Sequence, residues 1–358
     1  MKKAAREQLS RALGEHLNTI HETFQIFDRA PASSLEKVSW KEVIQMSEQV
    51  SKHATTVGML YAGDTPGVKA LEENMAAYFN ILQGFLLLSH GNLLGAGPTL
   101  SSCIHTSVKQ VVDSSFMLFQ GAVSSYGSSS NVQKLSIPQL VGTVWDACSA
   151  LKKTPATNIT AIGRAMTRVA VSIKDVLREM KELKPADESS IPESAHTDDK
   201  SNNDDDSDEE LGNDLSPEEM KIVQLTTSIV SEALRVIKEL IRSITGLLKK
   251  ENSNGGAISV DSLEKLLKLS QAVGVQVDDL GACLYPPQEI SAIKMALGKM
   301  SSITNETETE LRNLEGSSED FGKACAGLRG SLRELETLLG CVGAHYIVQE
   351  MENLVVSN

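Results

Sequence analysis

Aliphatic side chains recur every three or four residues along most of this chain, and that spacing constrains its fold more than any other feature. An α-helix turns once every 3.6 residues, so apolar residues at this spacing form a stripe along one face. The clearest stripe lies in the C-terminal half and comprises Ile222, Leu225, Ile229, Ala233, Val236, Leu240, Ile244 and Leu247. No segment shows the convincing period-two alternation that is typical of a half-buried strand. The sequence therefore predicts an all-α protein.

Composition agrees with this prediction. Apolar residues make up 41% of the chain but aromatic residues only 4%, so that Leu, Ile, Val, Ala and Met supply most of the core volume. Such a mixture suits helices that pack through aliphatic seams better than it suits a sheet, which favours aromatic and β-branched runs. A length of 358 residues is enough for two domains of ordinary size.

Several helix starts can be predicted from capping residues. Ser39 and Ser216 are each followed three residues later by glutamate, which is the capping-box pattern, and Asp261 shows the same spacing. Pro138 predicts the first turn of another helix, because proline is tolerated where a backbone N–H has no partner within the helix. The apolar stripe of that helix includes Trp145, which we interpret as a core residue.

Charge divides the chain into three parts. Residues 185–215 contain twelve Asp and Glu against one Lys and cannot bury enough apolar surface to fold, so we interpret them as an acidic disordered linker. The linker separates an N-terminal bundle, 1–184, from a C-terminal bundle, 216–358. We expect each to be an antiparallel bundle of four or five helices.

The same features argue against several classes of partner and location. Neither predicted bundle has the strong positive charge that drives phosphate binding, so we expect no direct nucleic-acid binding. The most apolar run, 81–88, is far shorter than the roughly 20 residues of a membrane-spanning helix, so we expect no membrane insertion. The basic N-terminal tip has no apolar stretch behind it, which predicts no secretory signal. Five scattered cysteines indicate a soluble protein in a reducing compartment.

No catalytic signature is present. The chain contains no GxxxxGK[ST], GxSxG or HExxH motif. Cys341 and His345 lie one helical turn apart, but no further ligand stands nearby to complete a zinc site. Asp278 and Asp279 are adjacent in sequence and are expected to point to different faces of a helix, which argues against a shared-proton pair. We therefore predict a protein that is not an enzyme and has no cofactor or metal.

Short binding motifs have two interpretations. LxxLL occurs at 263–267 and 335–339, a pattern that some regulators present to a groove. The same leucines belong to the apolar stripes of predicted helices, and burying each one would stabilise the fold by roughly 1.5–3 kcal/mol. We therefore favour a core role for both motifs.

Four residues are candidate phosphorylation sites. Thr65, Thr154 and Ser216 each precede a proline, and Ser207 is followed by three acidic residues. A phosphate on Ser216 would lie at a helix N-terminus, where exposed N–H groups favour anions. The alternative is that these are capping residues and, for Ser207, a solvated side chain.

Two segments resemble characteristic stretches of the cyclin-D-binding protein family, also called the cyclin-D-interacting or GCIP family. Residues 277–300, VDDLGACLYPPQEISAIKMALGKM, resemble the family's Asp-Asp-Leu run and Tyr-Pro-Pro turn. Residues 144–148, VWDAC, are similar to its Val-Trp-x-Ala-Cys stretch. The resemblance covers most of the chain in order, although loops such as 121–131 depart from the family.

This resemblance implies two α-helical bundles similar to those of vinculin and talin. It also implies binding to D-type cyclins and to helix-loop-helix regulators, negative regulation of the cell cycle, and a cytoplasmic and nuclear location. The alternative function is a vinculin- or talin-like structural module that links cytoskeletal or membrane-associated proteins.

Overall fold

The chain is all-α, as the spacing of its apolar residues predicts. A computed structural model describes residues 2–29, 31, 36–62, 67–126, 131–183, 215–254, 258–315 and 319–356. Over these residues the chain forms ten α-helices and no strand, and the helices divide between two compact units. The predicted fold class is therefore confirmed.

The first unit, Met1–Ala161, contains five of these helices. They are α1 (Lys2–Phe24), α2 (Trp40–Ala62), α3 (Val68–Asn92), α4 (Pro98–Ser125) and α5 (Asn131–Leu151), with a 3₁₀ turn, Gln25–Asp28, after α1. Helix α3 packs between α1 and α2, and α5 packs between α2 and α4. Contact of α1 with α4 closes this ring of five helices.

Aromatic side chains fill the centre of the first unit. Tyr78 and Phe79 of α3 each contact Phe119 of α4, with ring centroids 4.8 and 4.9 Å apart. The hydroxyl of Ser115 donates to the carbonyl oxygen of Val111, so the buried Tyr78 hydroxyl is the donor in its own 2.8 Å hydrogen bond to Ser115 Oγ. This bond satisfies the polar group that the core encloses.

The second unit, Ile162–Asn358, contains most of one helix and four complete ones. They are α6 (Asn158–Glu182), α7 (Pro217–Asn254), α8 (Val260–Ala282), α9 (Ile290–Glu315) and α10 (Glu319–Val356). Helices α7, α8, α9 and α10 form a closed ring in which each packs against the next and α10 packs against α7. Every residue of the stripe predicted on α7 is buried except Leu225.

Helix α6 lies next to α8. Val169 and Val176 face glycines of α8, and a Cβ placed on those glycines would lie 3.3 Å from Val169 at Gly274 and 3.1 Å from Val176 at Gly281. The glycines therefore leave room for the two valine side chains against the backbone of α8.

The two compact units divide within α6, between Ala161 and Ile162, and the domain boundaries at residues 184 and 216 stay a prediction. Helix α6 has an apolar face, and the sequence pattern does not tell which neighbour covers it. In the structure the neighbour is α8, so from Ile162 onward α6 is part of the second unit. Most of the predicted linker lies outside the described residues, and its disorder stays a prediction.

Two of the predicted capping boxes are present. The Ser39 amide donates to Glu42 Oε2 at 2.8 Å and the Glu42 amide donates back to Ser39 Oγ at 3.3 Å. The third prediction is wrong: α8 begins two residues earlier than Asp261 implied, because Ser259 is its cap and accepts from the amide of Ser262 at 3.2 Å.

The helix predicted to start at Pro138 starts earlier. Helix α5 begins at Asn131, so that Pro138 lies two turns inside it. In the interior of a helix, proline removes one backbone hydrogen bond and its ring crowds the carbonyl four residues earlier, so Pro138 weakens α5 at this turn. The prediction is wrong because proline favours the first turn of a helix but also occurs inside helices, as Pro138 does in α5.

Candidate partner-binding surfaces

Most large apolar side chains in the described residues are buried, but eight are exposed. They are Met59, Leu87, Met117, Trp145, Val171, Val275, Tyr285 and Met295. Met59 and Trp145 lie on α2 and α5, two helices that pack together in the first unit. Val275 and Met295 lie on α8 and α9, which pack together in the second. Single exposed apolar residues are common on protein surfaces, so the grooves beside these helix pairs decide whether either pair is a candidate binding surface.

In the first unit, α2 and α5 border a shallow groove of about 200 Å³. Lys152, directly after α5, and Glu48 of α2 form a 2.9 Å ion pair beside it, and the hydrogen bond and charge of Lys152 lower the pKa of Glu48. Cys148 lies at the groove, and burial raises the pKa of its thiol to about 11. A thiol with that pKa is a poor nucleophile at neutral pH.

Trp145 lies on this α2–α5 face and not in the core. Its side chain is 45% exposed, and its indole N–H donates to Thr55 Oγ1 of α2 at 3.2 Å. The neighbouring Val144, by contrast, is fully buried. Our interpretation of Trp145 as a core residue is therefore wrong, because the indole lies at the edge of the helix pair, where it presents an apolar ring to solvent.

In the second unit, α8 and α9 enclose a groove of about 220 Å³. Its lining includes Gln276, Asp279, Ala282, Ala292 and Met295. The two alanines keep the groove open because their side chains are short. Met295 projects from its wall and is 60% exposed.

A second groove, of about 290 Å³, lies between α6 and α8 of the same unit. Val176 and Met180 of α6 line one side, and Asp278 and Tyr285 line the other. Burial and the neighbouring charge of Asp279 raise the pKa of Asp278. Asp278 therefore lines this groove while Asp279 lines the α8–α9 groove, which agrees with the prediction that the two acids point in different directions.

The two LxxLL motifs are core residues. Leu263, Leu266 and Leu267 on α8 are all buried. On α10 the first and last leucines of the motif, Leu335 and Leu339, are buried as well. The interpretation as apolar stripe is confirmed for these five leucines, whereas Leu338 of the second motif is half-buried.

Two of the four candidate phosphorylation sites can be placed, each in its own unit. Thr154, after α5, shares a 2.7 Å hydrogen bond with Ser107 Oγ of α4. Ser216 forms the capping box of α7: its amide donates to Glu219 Oε2 at 2.9 Å and Glu219 N–H donates to Ser216 Oγ at 3.2 Å. Thr65 and Ser207 lie outside the described residues. Phosphorylation of all four stays a prediction.

Removal of the Ser216 hydroxyl should weaken the start of α7. We expect Ser216→Ala to lower the free energy of unfolding of the second unit by about 1 kcal/mol, because the N–H of Glu219 loses its partner. Urea unfolding followed by circular dichroism measures this change. Ser216→Asp retains an acceptor oxygen and serves as the control; equal midpoints for Ser216→Ala and the unchanged chain would show that the cap contributes nothing.

The described residues contain no group of three or more His, Cys, Asp or Glu that could hold a metal ion. Burial raises the pKa of the Cys325 thiol to about 12, whereas Cys341 lies exposed on α10. Among the described helices, none has a stretch both long and apolar enough to cross a membrane.

Two helical bundles with grooves between paired surface helices define the class of this protein: an all-α protein of two bundle units. The chain belongs to the Grap2 and cyclin-D-interacting family. The family's N-terminal model matches residues 42–186 and its C-terminal model matches residues 197–309.

Individual relatives are distant in sequence. The chain is 24% identical over 212 residues to Cyclin-D1-binding protein 1 homolog of Xenopus laevis, a match that spans 58% of this chain and 59% of that protein. It is 21% identical over 306 residues to Cyclin-D1-binding protein 1 of Bos taurus, over 81% of this chain and 78% of that protein. The human protein of the same name is 22% identical over 276 residues, or 74% of this chain and 73% of that protein.

Both segments that resembled the family contribute to the surface grooves. Trp145 belongs to the first segment and lies on the α2–α5 face. Asp278, Asp279 and Tyr285 belong to the second and line the two grooves beside α8. Sequence reasoning interpreted these positions as core and turn and so missed the surfaces. Adjacent aspartates within a helix were the available signal, because aspartate has low helix propensity and both side chains must find solvent or a partner.

Proposed function

We propose that this chain is a non-enzymatic adaptor that binds D-type cyclins and helix-loop-helix regulators and thereby restrains cell-cycle progression. Membership of the Grap2 and cyclin-D-interacting family is the observation that carries the proposal. The relatives at 21–24% identity are named for binding cyclin D1, which supports a cyclin as the partner. We further propose that the chain acts in the cytoplasm and the nucleus.

The geometry of the two units supports an interaction role. Grooves between paired helices accept helices of partner proteins, because side chains of a third helix fit between two rows of side chains. Exposed Trp and Met residues beside such grooves supply apolar contact area that helical partners can cover. Each unit offers one such face, at α2–α5 and at α8–α9.

Binding to a purified D-type cyclin tests the proposal directly. We expect the full-length chain to bind the cyclin with a dissociation constant in the micromolar range or below, as an interface of ordinary size allows. Surface plasmon resonance measures the affinity, and an A-type cyclin serves as the control. Absence of binding to every D-type cyclin would overturn the cyclin proposal. Recovery of actin or adhesion proteins from cell extract in place of cyclins would favour the structural module.

A further inference from the structure

The α8–α9 groove contains a polar group without a partner. Gln276 is only 6% exposed, and its Nε2 donates to Asp279 Oδ2 at 3.1 Å. Its Oε1 is buried at the groove and accepts no hydrogen bond from the described residues. Because this oxygen has almost no accessible surface, an occupant of the groove meets the exposed carboxylate of Asp279 and not the amide oxygen of Gln276.

The hydrogen bond from Gln276 also positions Asp279. It holds one carboxylate oxygen against the wall of the groove. The amide group of Gln276 is oriented by the same contact, because only Nε2 can donate to a carboxylate. The carboxylate of Asp279 is therefore a positioned acceptor at the groove, and a guanidinium or ammonium group is a donor that suits it.

Charge around the groove favours a cation at one end. Asp279 lies on α8, and Glu289 lies just before α9. Burial, and then the negative charges of Glu289 and Asp279, raise the pKa of Cys283, which shows that both carboxylates are near this thiol. Lys299 lines the groove three residues beyond Ala296 on α9. An occupant with basic groups beside Asp279 therefore meets opposite charge, and Lys299 disfavours a second cation at its own end.

Apolar contacts are available on the same face. Met295 is 60% exposed, and its flexible side chain adapts to different partners. Ala282 and Ala292 leave room between the helices for one or two inserted side chains. The lining of α8 from Gln276 to Cys283 extends roughly 10 Å at 1.5 Å per residue, which is about two turns of a docked helix.

We infer that the α8–α9 groove binds a basic amphipathic helix of a partner protein, with an arginine or lysine paired to Asp279 and apolar side chains packed on Met295. The inference rests on the proposed adaptor function and assigns it a surface. It differs from the α2–α5 face of the first unit, where Lys152 already neutralises Glu48 and the indole N–H of Trp145 is already bonded.

A pair of synthetic helices provides the probe. The first is an 18-residue amphipathic peptide with leucines on one face and arginines on the other; the second replaces every arginine by glutamate. Fluorescence anisotropy with the full-length chain measures both affinities. We expect the basic peptide to bind and its acidic counterpart to bind at least tenfold more weakly. Equal affinity of the two peptides would overturn the assignment of a basic occupant.

Matched substitutions then locate the binding site. Asp279→Asn keeps an oxygen for Gln276 and removes only the charge, and we expect it to weaken binding of the basic peptide roughly tenfold. Glu336→Gln makes the same charge change at an exposed position of α10 and should have no effect. Equal losses of peptide affinity in the two variants would show that net charge alone attracts the peptide and would overturn the assignment of the binding site to the groove.

The apolar half of the inference has its own pair of variants. We expect Met295→Ala to weaken peptide binding about fivefold, and Met117→Ala, at an exposed methionine of α4, to leave it unchanged. Circular dichroism and urea unfolding check that every variant folds. Unchanged binding in both Asp279→Asn and Met295→Ala would overturn the inference.

Failure of the groove and failure of the proposed function have different signatures. If the groove is not the binding site, Asp279→Asn and Met295→Ala bind the peptide as the unchanged chain does, whether or not a D-type cyclin binds. If the cyclin proposal is wrong, the cyclin fails to bind while Asp279→Asn and Met295→Ala still weaken the basic peptide. Loss of cyclin affinity in Asp279→Asn but not in Glu336→Gln would support both together.

Discussion

Leu240→Asp should unfold the second unit while the first unit stays folded. Leu240 has no exposed surface and lies on α7, which packs against both α8 and α10. A carboxylate at this position would lose its hydration without gaining a partner, and the leucine's apolar contacts would be lost as well. We expect a cost above about 4 kcal/mol, a large part of the 5–15 kcal/mol by which a domain is ordinarily stable.

The positions of the tryptophans allow the unfolding of the two units to be measured separately. Both tryptophans of the chain, Trp40 and Trp145, lie in the first unit, whereas circular dichroism reports the helices of both units. For Leu240→Asp we expect a large loss of helical signal together with an unchanged tryptophan fluorescence transition. Lys238→Asp, at an exposed position of the same helix, is the control and should unfold like the unchanged chain. A Leu240→Asp variant that keeps its full helical signal and melting temperature would contradict the placement of the α7 stripe.

The helices themselves could be predicted because their causes are local. Burial along α7 follows from an apolar spacing that is visible within about 20 consecutive residues of the helix. The cap at Ser216 depends only on the four residues 216–219. The LxxLL leucines could be assigned to the core for the same reason. Errors at helix ends were also local in origin: Ser259 and Asp261 offer competing caps two residues apart, and the structure uses the first.

The cover of α6, the exposure of Trp145 and the grooves could not be predicted from the sequence, because they depend on which helices pack together. The apolar face of α6 is evident from its sequence, but only the approach of α8 at Gly274 and Gly281 shows what covers it. Trp145 lies on the same side of α5 as buried residues. Its indole is exposed because it packs at the edge of α2, where it donates to Thr55. The grooves arise in the same way, since the alanines that open the α8–α9 groove come from two helices that are separated in the chain by a turn.

Phe119→Ala should produce the largest loss of stability in the first unit. Phe119 is fully buried on α4 between the rings of Tyr78 and Phe79, and its truncation would leave a cavity where both rings lose a partner. Substitutions of this kind cost about 3–5 kcal/mol, because the removed ring loses its burial and the surrounding core collapses only in part. With a urea m-value of about 2 kcal/mol per molar, the middle of the usual range, the midpoint should fall by roughly 1.5–2.5 M.

Tryptophan fluorescence during urea unfolding measures the change in the unit where it occurs. Met117→Ala removes a large apolar side chain from the same helix two residues away, but Met117 is 47% exposed, so its midpoint should stay within a few tenths molar of the unchanged chain. Tyr78→Phe separates the hydrogen bond to Ser115 from ring packing and should cost only about 1 kcal/mol, because the ring contacts with Phe119 remain. Equal midpoints for Phe119→Ala and Met117→Ala would mean that the aromatic cluster is not the centre of the first unit. The order Phe119→Ala, Tyr78→Phe, Met117→Ala, from largest to smallest loss, follows from burial, ring contact and the buried hydrogen bond of Tyr78.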